Sequence, residues 1–205
     1  PRFWSVALLL AGLVLAAGCK PEESDRAPMI ATTTSYLECA ARDLLGEELS
    51  VLRLAVPGTC PGHFDLRPSQ ATQLRQCRML LRFDFQKSIE AKAGLGDTNQ
   101  FKIAVVSLQH GMCHPESYLS ACRQLAEFFI ATGSLTRAAA DERLQAVTRR
   151  IEALARETSR RAAQAGLSGR TVIASGRQRD VCEWLGLNVA ATFSAADTAS
   201  LSEIE

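Results

Sequence analysis

The chain has 205 residues, 47% of them hydrophobic and 22% charged, enough apolar material for one large domain or two small lobes. Its formal net charge of +1 lacks the basic footprint of a nucleic-acid-binding protein. The densest arginine cluster, Arg149 to Arg161, alternates with Glu152 and Glu157 and reads as a solvated helix face.

In chain order, the first feature is the apolar run Val6 to Ala17, "VALLLAGLVLAA", too short for a membrane span of ~20 residues. It ends in "LAAGC", the pattern of a secretory signal peptide whose Cys19 resembles the lipidated cysteine of a bacterial lipobox. Residues 1–19 are therefore expected to be a lipoprotein signal and the polar stretch 20–27, "KPEESDRA", a flexible tether. Export makes an oxidising compartment the expectation, in which Cys39, Cys60, Cys77, Cys113, Cys122 and Cys182 are candidates for disulfides. Six cysteines allow 15 pairings, and their spacing does not choose among them.

The β-branched stretch Met29 to Thr34 predicts a strand. Leu37, Ala40, Ala41, Leu44 and Leu45 then share a helical face that stops at Gly46. "SVLRLAV" predicts a second strand, Pro68 opens a short helix, and "RMLLRFDF" and "FKIAVVSL" predict two more strands with a brief helix between them. Strands alternating with short helices predict a parallel α/β sheet over 28–133. "ESYLSACRQLAEFFIATG" is helical up to Gly133. Residues 134–166 predict one long linking helix, on the order of 45 Å at ~1.5 Å per residue. Its apolar stripe is expected at Leu144, Val147, Ile151, Leu154, Thr158 and Ala162. Residues 167–205, with strands "TVIAS" and "NVAATF" around the helix "DVCEWLGL", read as the start of a second βα lobe. The expected fold is thus α/β, two lobes of parallel sheet flanked by helices and joined by one long backbone helix.

Two loops after strands carry the polar chemistry. The first is "CPGHFDLRPSQ", with Cys60 and His63 between Pro57, Gly58, Pro61 and Gly62; the second is "LQHGMCHPE", with His110, Cys113 and His114. Open α/β sheets bind ligands beyond the carboxyl ends of their strands, where both loops are expected. Imidazoles and thiolates are good ligands for zinc, so His63, His110, Cys60, Cys113 and His114 are the candidate metal ligands. Asp65 is the candidate partner that orients an imidazole from behind. A disulfide between Cys60 and Cys113 is the competing reading of those two residues. No G-x-S-x-G elbow, phosphate loop or H-E-x-x-H motif marks an enzyme. A thiol enzyme using Cys113 and His110, or a site at Ser175 in "SGRQRD", is the weaker reading.

The order of these elements resembles the substrate-binding proteins of ABC transporters for zinc and manganese. Two motifs carry the resemblance: "GHFDLRPSQ", a His followed by an acid and a Pro-Ser before a helix, and "LQHGMCHPESYLSACRQLAE", in which His110 stands five residues before the helix-opening Pro115. The likeness runs from about Pro28 to Glu205. It implies an exported, membrane-anchored lipoprotein, a monomer, that captures a divalent metal between its lobes and delivers it to a transporter permease. Zn²⁺ is the expected cargo, with Mn²⁺ and Cu⁺ as alternatives, and no catalysis is implied. The resemblance also brings the fold of adhesion-type lipoproteins. One position departs from the pattern, since Ser175 stands where a third histidine is expected; the family's late acidic ligand is expected from a later part of the second lobe than this sequence covers. The alternative is an exported structural or interaction lipoprotein of the same fold that does not bind metal.

Overall fold

The computed structural model describes residues 29–56, 58–62, 64–95 and 101–193. The signal segment, Cys19, the tether, Pro57 and His63 lie outside the described residues. Four parallel strands, β1 (Ile30–Thr32), β2 (Val51–Arg53), β3 (Met79–Phe83) and β4 (Lys102–Val106), form one sheet in the order β2-β1-β3-β4. The first two are shorter than their apolar runs, but the ladder continues past β2. Leu54 N–H donates to the Thr32 carbonyl at 2.9 Å and Ala55 N–H to that of Thr33 at 3.1 Å.

Parallel strands need both faces covered, and their sequences are apolar on both. Side chains alternate between faces along β3. Met79, Leu81 and Phe83 face a core built with α1 (Ser35–Leu45), α4 (Pro115–Ala131) and α5 (Arg137–Gln164), whereas Leu80 faces Leu54, Leu74 and Ile89 under α2 (Pro68–Leu74) and α3 (Ser88–Ala93). Leu80 and Leu81 are both fully buried, on opposite sides. Each contributes ~1.5–3 kcal/mol by leaving water. Cys122 belongs to the first core and Cys77 to the second, so the sheet separates them. Both are buried thiols, as Cys39, Cys113 and Cys182 are more exposed ones. Burial pushes Cys77 up to about 11 and Cys122 up to about 12. None of these five forms a disulfide in the structure, and Cys77 lies across the sheet from Cys122.

The helix α5 is continuous, as its periodicity predicts, and begins at Thr136, whose hydroxyl accepts from Ala139 N–H. It is fastened to α1 by Arg150, which donates to Asp43 Oδ1 at 2.9 Å and Oδ2 at 2.5 Å; Tyr118 of α4 donates to the same carboxylate at 2.6 Å. Beyond it, β5 (Thr171–Ser175) and β6 (Asn188–Phe193), flanking α6 (Arg179–Trp184), form a separate two-stranded parallel sheet. Among the described residues, no helix is long and apolar enough to cross a membrane.

The stripe of α5 differs from the expectation at two positions. Val147 and Ala162 are buried and Leu144 and Ile151 pack against the core, but Leu154 is 57% exposed and Thr158 is exposed as well. Ala140 is buried as well, and Ala155 and Ser159 beside the two exposed positions are half-buried. A straight helix of 3.6 residues per turn drifts against a strict heptad, and small side chains let it approach its neighbours. Val147→Asp therefore places an unpaired charge in the core and should cost ~3–5 kcal/mol. Leu154→Asp should stay within ~0.5 kcal/mol of the parent. Thermal melts of the two variants check this; equal losses would contradict the observed helix phase.

Candidate functional site

All strands of the larger sheet run the same way, so the loops after β2, β3 and β4 emerge at one edge. The turn after β5 faces them. Between them lies a cleft of about 740 Å³, lined by Cys60, Pro61 and Gly62, by Asp84 and Phe85, by Leu108 to Cys113, and by Gly176 to Gln178 with Asp180 and Val181. The two loops singled out in the sequence thus share one cavity wall, with the second lobe opposite.

The first loop leaves β2 through Gly58, whose φ of 85° is in the left-handed region that glycine enters without strain. Its end is fixed by an amide that the sequence reading missed. Gln86 is 3% exposed. Its Oε1 accepts from Thr33 Oγ1 at 2.6 Å and from Phe83 N–H at 2.9 Å, and its Nε2 donates to the Pro61 carbonyl at 2.7 Å. One side chain therefore joins the ends of β1 and β3 to the loop after β2. A neutral amide carries no ligand or charge signature, so no sequence signal picks it out. Asp65 sits elsewhere: Lys92 Nζ donates to its Oδ1 at 2.7 Å, and its side chain is 91% exposed. That ammonium holds the Asp65 carboxyl below its usual range. Among the described residues, the partner of Asp65 is thus a lysine of α3.

The second loop is built as a helix entrance. His114 is the N-cap of α4 and Pro115 its first helical residue, where a missing N–H costs nothing. Ser117, 2% exposed, donates from Oγ to the His110 carbonyl at 3.1 Å. Gln124 grips the strand end before it, accepting from Ser107 N–H at 3.0 Å and donating to the Ser107 carbonyl at 2.8 Å. The two imidazoles lie with centroids 4.6 Å apart, but their partners differ. His114 Nδ1 accepts from Glu116 N–H at 3.3 Å, and its ring meets Trp184 edge-on at 6.0 Å. A neutral imidazole has one N–H and one acceptor. With Nδ1 accepting, the proton of neutral His114 sits on Nε2, which leaves that atom a donor.

His110 is arranged the other way. Its Nδ1 lies 3.3 Å from Asp180 Oδ2, which also accepts from Gly111 N–H at 3.1 Å. A carboxylate only accepts, so this contact favours the Nδ1–H form of neutral His110, which keeps the Nε2 lone pair available. Gly111 is required by close approach: a Cβ there would stand 2.5 Å from the Arg177 carbonyl oxygen of the second lobe. Asp180 was missed in the sequence because it is 70 residues from its partner in the chain; its only local signal is an acid in the first turn of a helix. Ser175, at the position of the expected third histidine, is 3.2 Å from Gln178 Oε1 through its hydroxyl. Among the described residues, no group of three or more His, Cys, Asp or Glu side chains is placed to hold a metal ion.

No protein-family profile and no curated protein sequence matches the chain. Solved structures do. A crystal structure of ZnuA matches with a TM-score of 0.65 at 14% identity, over 84% of this chain and 74% of that one. The SBP FpvC from Pseudomonas aeruginosa, in complex with Mn²⁺, matches with a TM-score of 0.67 at 14% identity, over 87% and 73%. The metal-dependent lipoprotein YcdH from Bacillus subtilis matches with a TM-score of 0.63 at 8% identity, over 85% and 71%. The α/β fold of this chain is thus that of zinc and manganese substrate-binding proteins, as the order of its motifs implied.

The geometry makes Gln86 the anchor of the first loop. Gln86→Ala leaves the Phe83 N–H, the Thr33 hydroxyl and the Pro61 carbonyl without this partner, at ~1–3 kcal/mol for each group that stays buried and unpaired. The variant should melt well below the parent, and amide hydrogen exchange should rise at 58–62. Unchanged exchange there would show that the loop does not depend on Gln86.

Proposed function

We propose that this chain is an extracytoplasmic solute-binding protein that captures a divalent metal ion in the cleft between its two lobes and delivers it to the permease of an ABC transporter. The observation that carries this reading is His110. Its Nδ1 is occupied by Asp180, its Nε2 is free to ligate, and it stands in the interlobe cleft of a fold shared with solved metal-bound proteins. His63 and His110 are the proposed ligands, with Cys60 and Cys113 as thiolate contributors. His114, whose acceptor nitrogen caps α4, is secondary. Imidazole and thiolate together favour zinc, then Cu⁺, over manganese, which prefers oxygen ligands. The two lobes, linked by 134–166, supply the two walls through 60–62, 84–85 and 108–113 on one side and 176–178 with 180–181 on the other. A monomer suffices for this arrangement, and no catalytic step is part of it.

Titration calorimetry with Zn²⁺, under reducing and oxidising conditions, tests the reading. The parent should bind one ion, and His63→Ala and His110→Ala should each weaken binding by an order of magnitude or more, on the scale of ~10–100-fold seen when a ligand's support is lost. Dependence on reducing conditions would bring in the thiols. Equal affinity in the parent and the double histidine variant, or no zinc heat at all, would leave the fold with a different task. The signal-like segment ending at Cys19 carries the further proposal that the mature chain is a lipoprotein at the periplasmic or outer cell surface. Stable anchoring takes more than one acyl chain. Cys19→Ala should move the protein from the detergent to the aqueous phase on partitioning, and unchanged partitioning would remove the anchor.

A further inference from the structure

We infer that Asp180, on the second lobe, is the positioning residue for His110. It fixes the imidazole in the Nδ1–H tautomer when the lobes meet and withdraws that support when they part. This deepens the metal-binding reading and rests on it. Three observations carry it. First, Asp180 Oδ2 lies 3.3 Å from His110 Nδ1, on the ring nitrogen opposite the one left for a ligand. Second, the same oxygen accepts from Gly111 N–H at 3.1 Å, so the carboxylate registers against the backbone beside the histidine as well as its ring. Third, Gly111 and the Arg177 carbonyl approach so closely that a side chain at 111 would clash, so glycine there is what lets the turn carrying Asp180 lie against the His110 loop.

The chemistry follows from these contacts. An imidazole that donates from one nitrogen to a carboxylate is a better ligand through the other, because its tautomer and orientation are set and its basicity is raised. His110 and Asp180 are 45% and 35% exposed, so their attraction adds little to folding. The contribution of Asp180 is to ligation. Since His110 belongs to the loop after β4 and Asp180 to α6 after β5, the contact exists only while the two lobes meet. Opening the cleft returns the imidazole to both tautomers and weakens it as a ligand, which couples release of the cargo to lobe separation.

The experiment uses the full chain with ¹⁵N-labelled histidine, zinc as the probe, and the variants Asp180→Ala and Asp180→Asn. In the metal-free parent, imidazole ¹⁵N shifts should report His110 protonated at Nδ1. Asp180→Ala should move it toward Nε2–H, weaken zinc binding ~10–100-fold and speed zinc release in stopped-flow chelation. Asp180→Asn keeps an oxygen acceptor and should restore the Nδ1–H tautomer and most of the affinity. A His110 tautomer that is the same in the parent and in Asp180→Ala overturns the inference whatever zinc does, and so does a changed tautomer with unchanged zinc affinity. A parent with the Nδ1–H tautomer that binds no zinc overturns the metal reading itself, and with it the role of Asp180 in ligation. Coincident melting curves for parent and variants would show that a lost fold is not the cause.

Discussion

The parallel direction of β1 to β4 is the constraint from which the site follows. Parallel neighbours need crossovers that return each strand to the same starting edge, so every carboxyl end lies at the opposite edge. The loops that bear Cys60 and His110 come from strands that are not adjacent: β2 is at one side of the sheet and β4 at the other. They share a cleft only because the ends of β1 and β3 lie between them. Gln86 makes that spacing specific, with its amide satisfied on both sides by Thr33, Phe83 and Pro61. A buried amide with all its partners in place is rigid, because any displacement leaves polar groups unpaired in a low-dielectric interior.

The two histidines of the second loop show how hydrogen bonding separates side chains of the same type. They stand 4.6 Å apart by ring centroid, in the same loop. One spends its acceptor nitrogen on a helix cap; the other sets its Nδ1 3.3 Å from a carboxylate. Only the second is left with a lone pair for a ligand. The Pro115 spacing pointed to His110 through family resemblance. The bonds to Glu116 and Asp180 supply a physical reason for the same choice.

The connection between lobes combines a stiff element with a small contact. The helix α5 is held to the first lobe by Arg150 on Asp43 and by Val147 in the core. Its further half carries exposed Leu154, which lines an apolar groove of about 390 Å³ together with Met112, Val181 and Trp184. At the cleft itself, Asp180, Gly111 and the Arg177 carbonyl meet over a few atoms. The helix keeps the lobes tethered across this contact.

The sequence by itself determined the elements whose signals are local. Pro115 opens α4, Gly46 ends α1, and the apolar runs of β3 and β4 mark parallel strands. It also determined that His and Cys lie on loops after strands, because strand periodicity and glycine and proline punctuation place those loops. Tertiary structure decided everything that depended on a distant partner. Leu154 faces outward because the inward line of α5 follows the surfaces packed against it, which α5's own periodicity does not encode. Asp65 meets Lys92, since α3 brings an ammonium nearer than any imidazole among the described residues. Gln86 and Asp180 acquire their roles only when β1 meets β3 and the second lobe meets the first. A hydrogen bond between residues far apart in the chain has no period and no composition; it exists only in the folded distances.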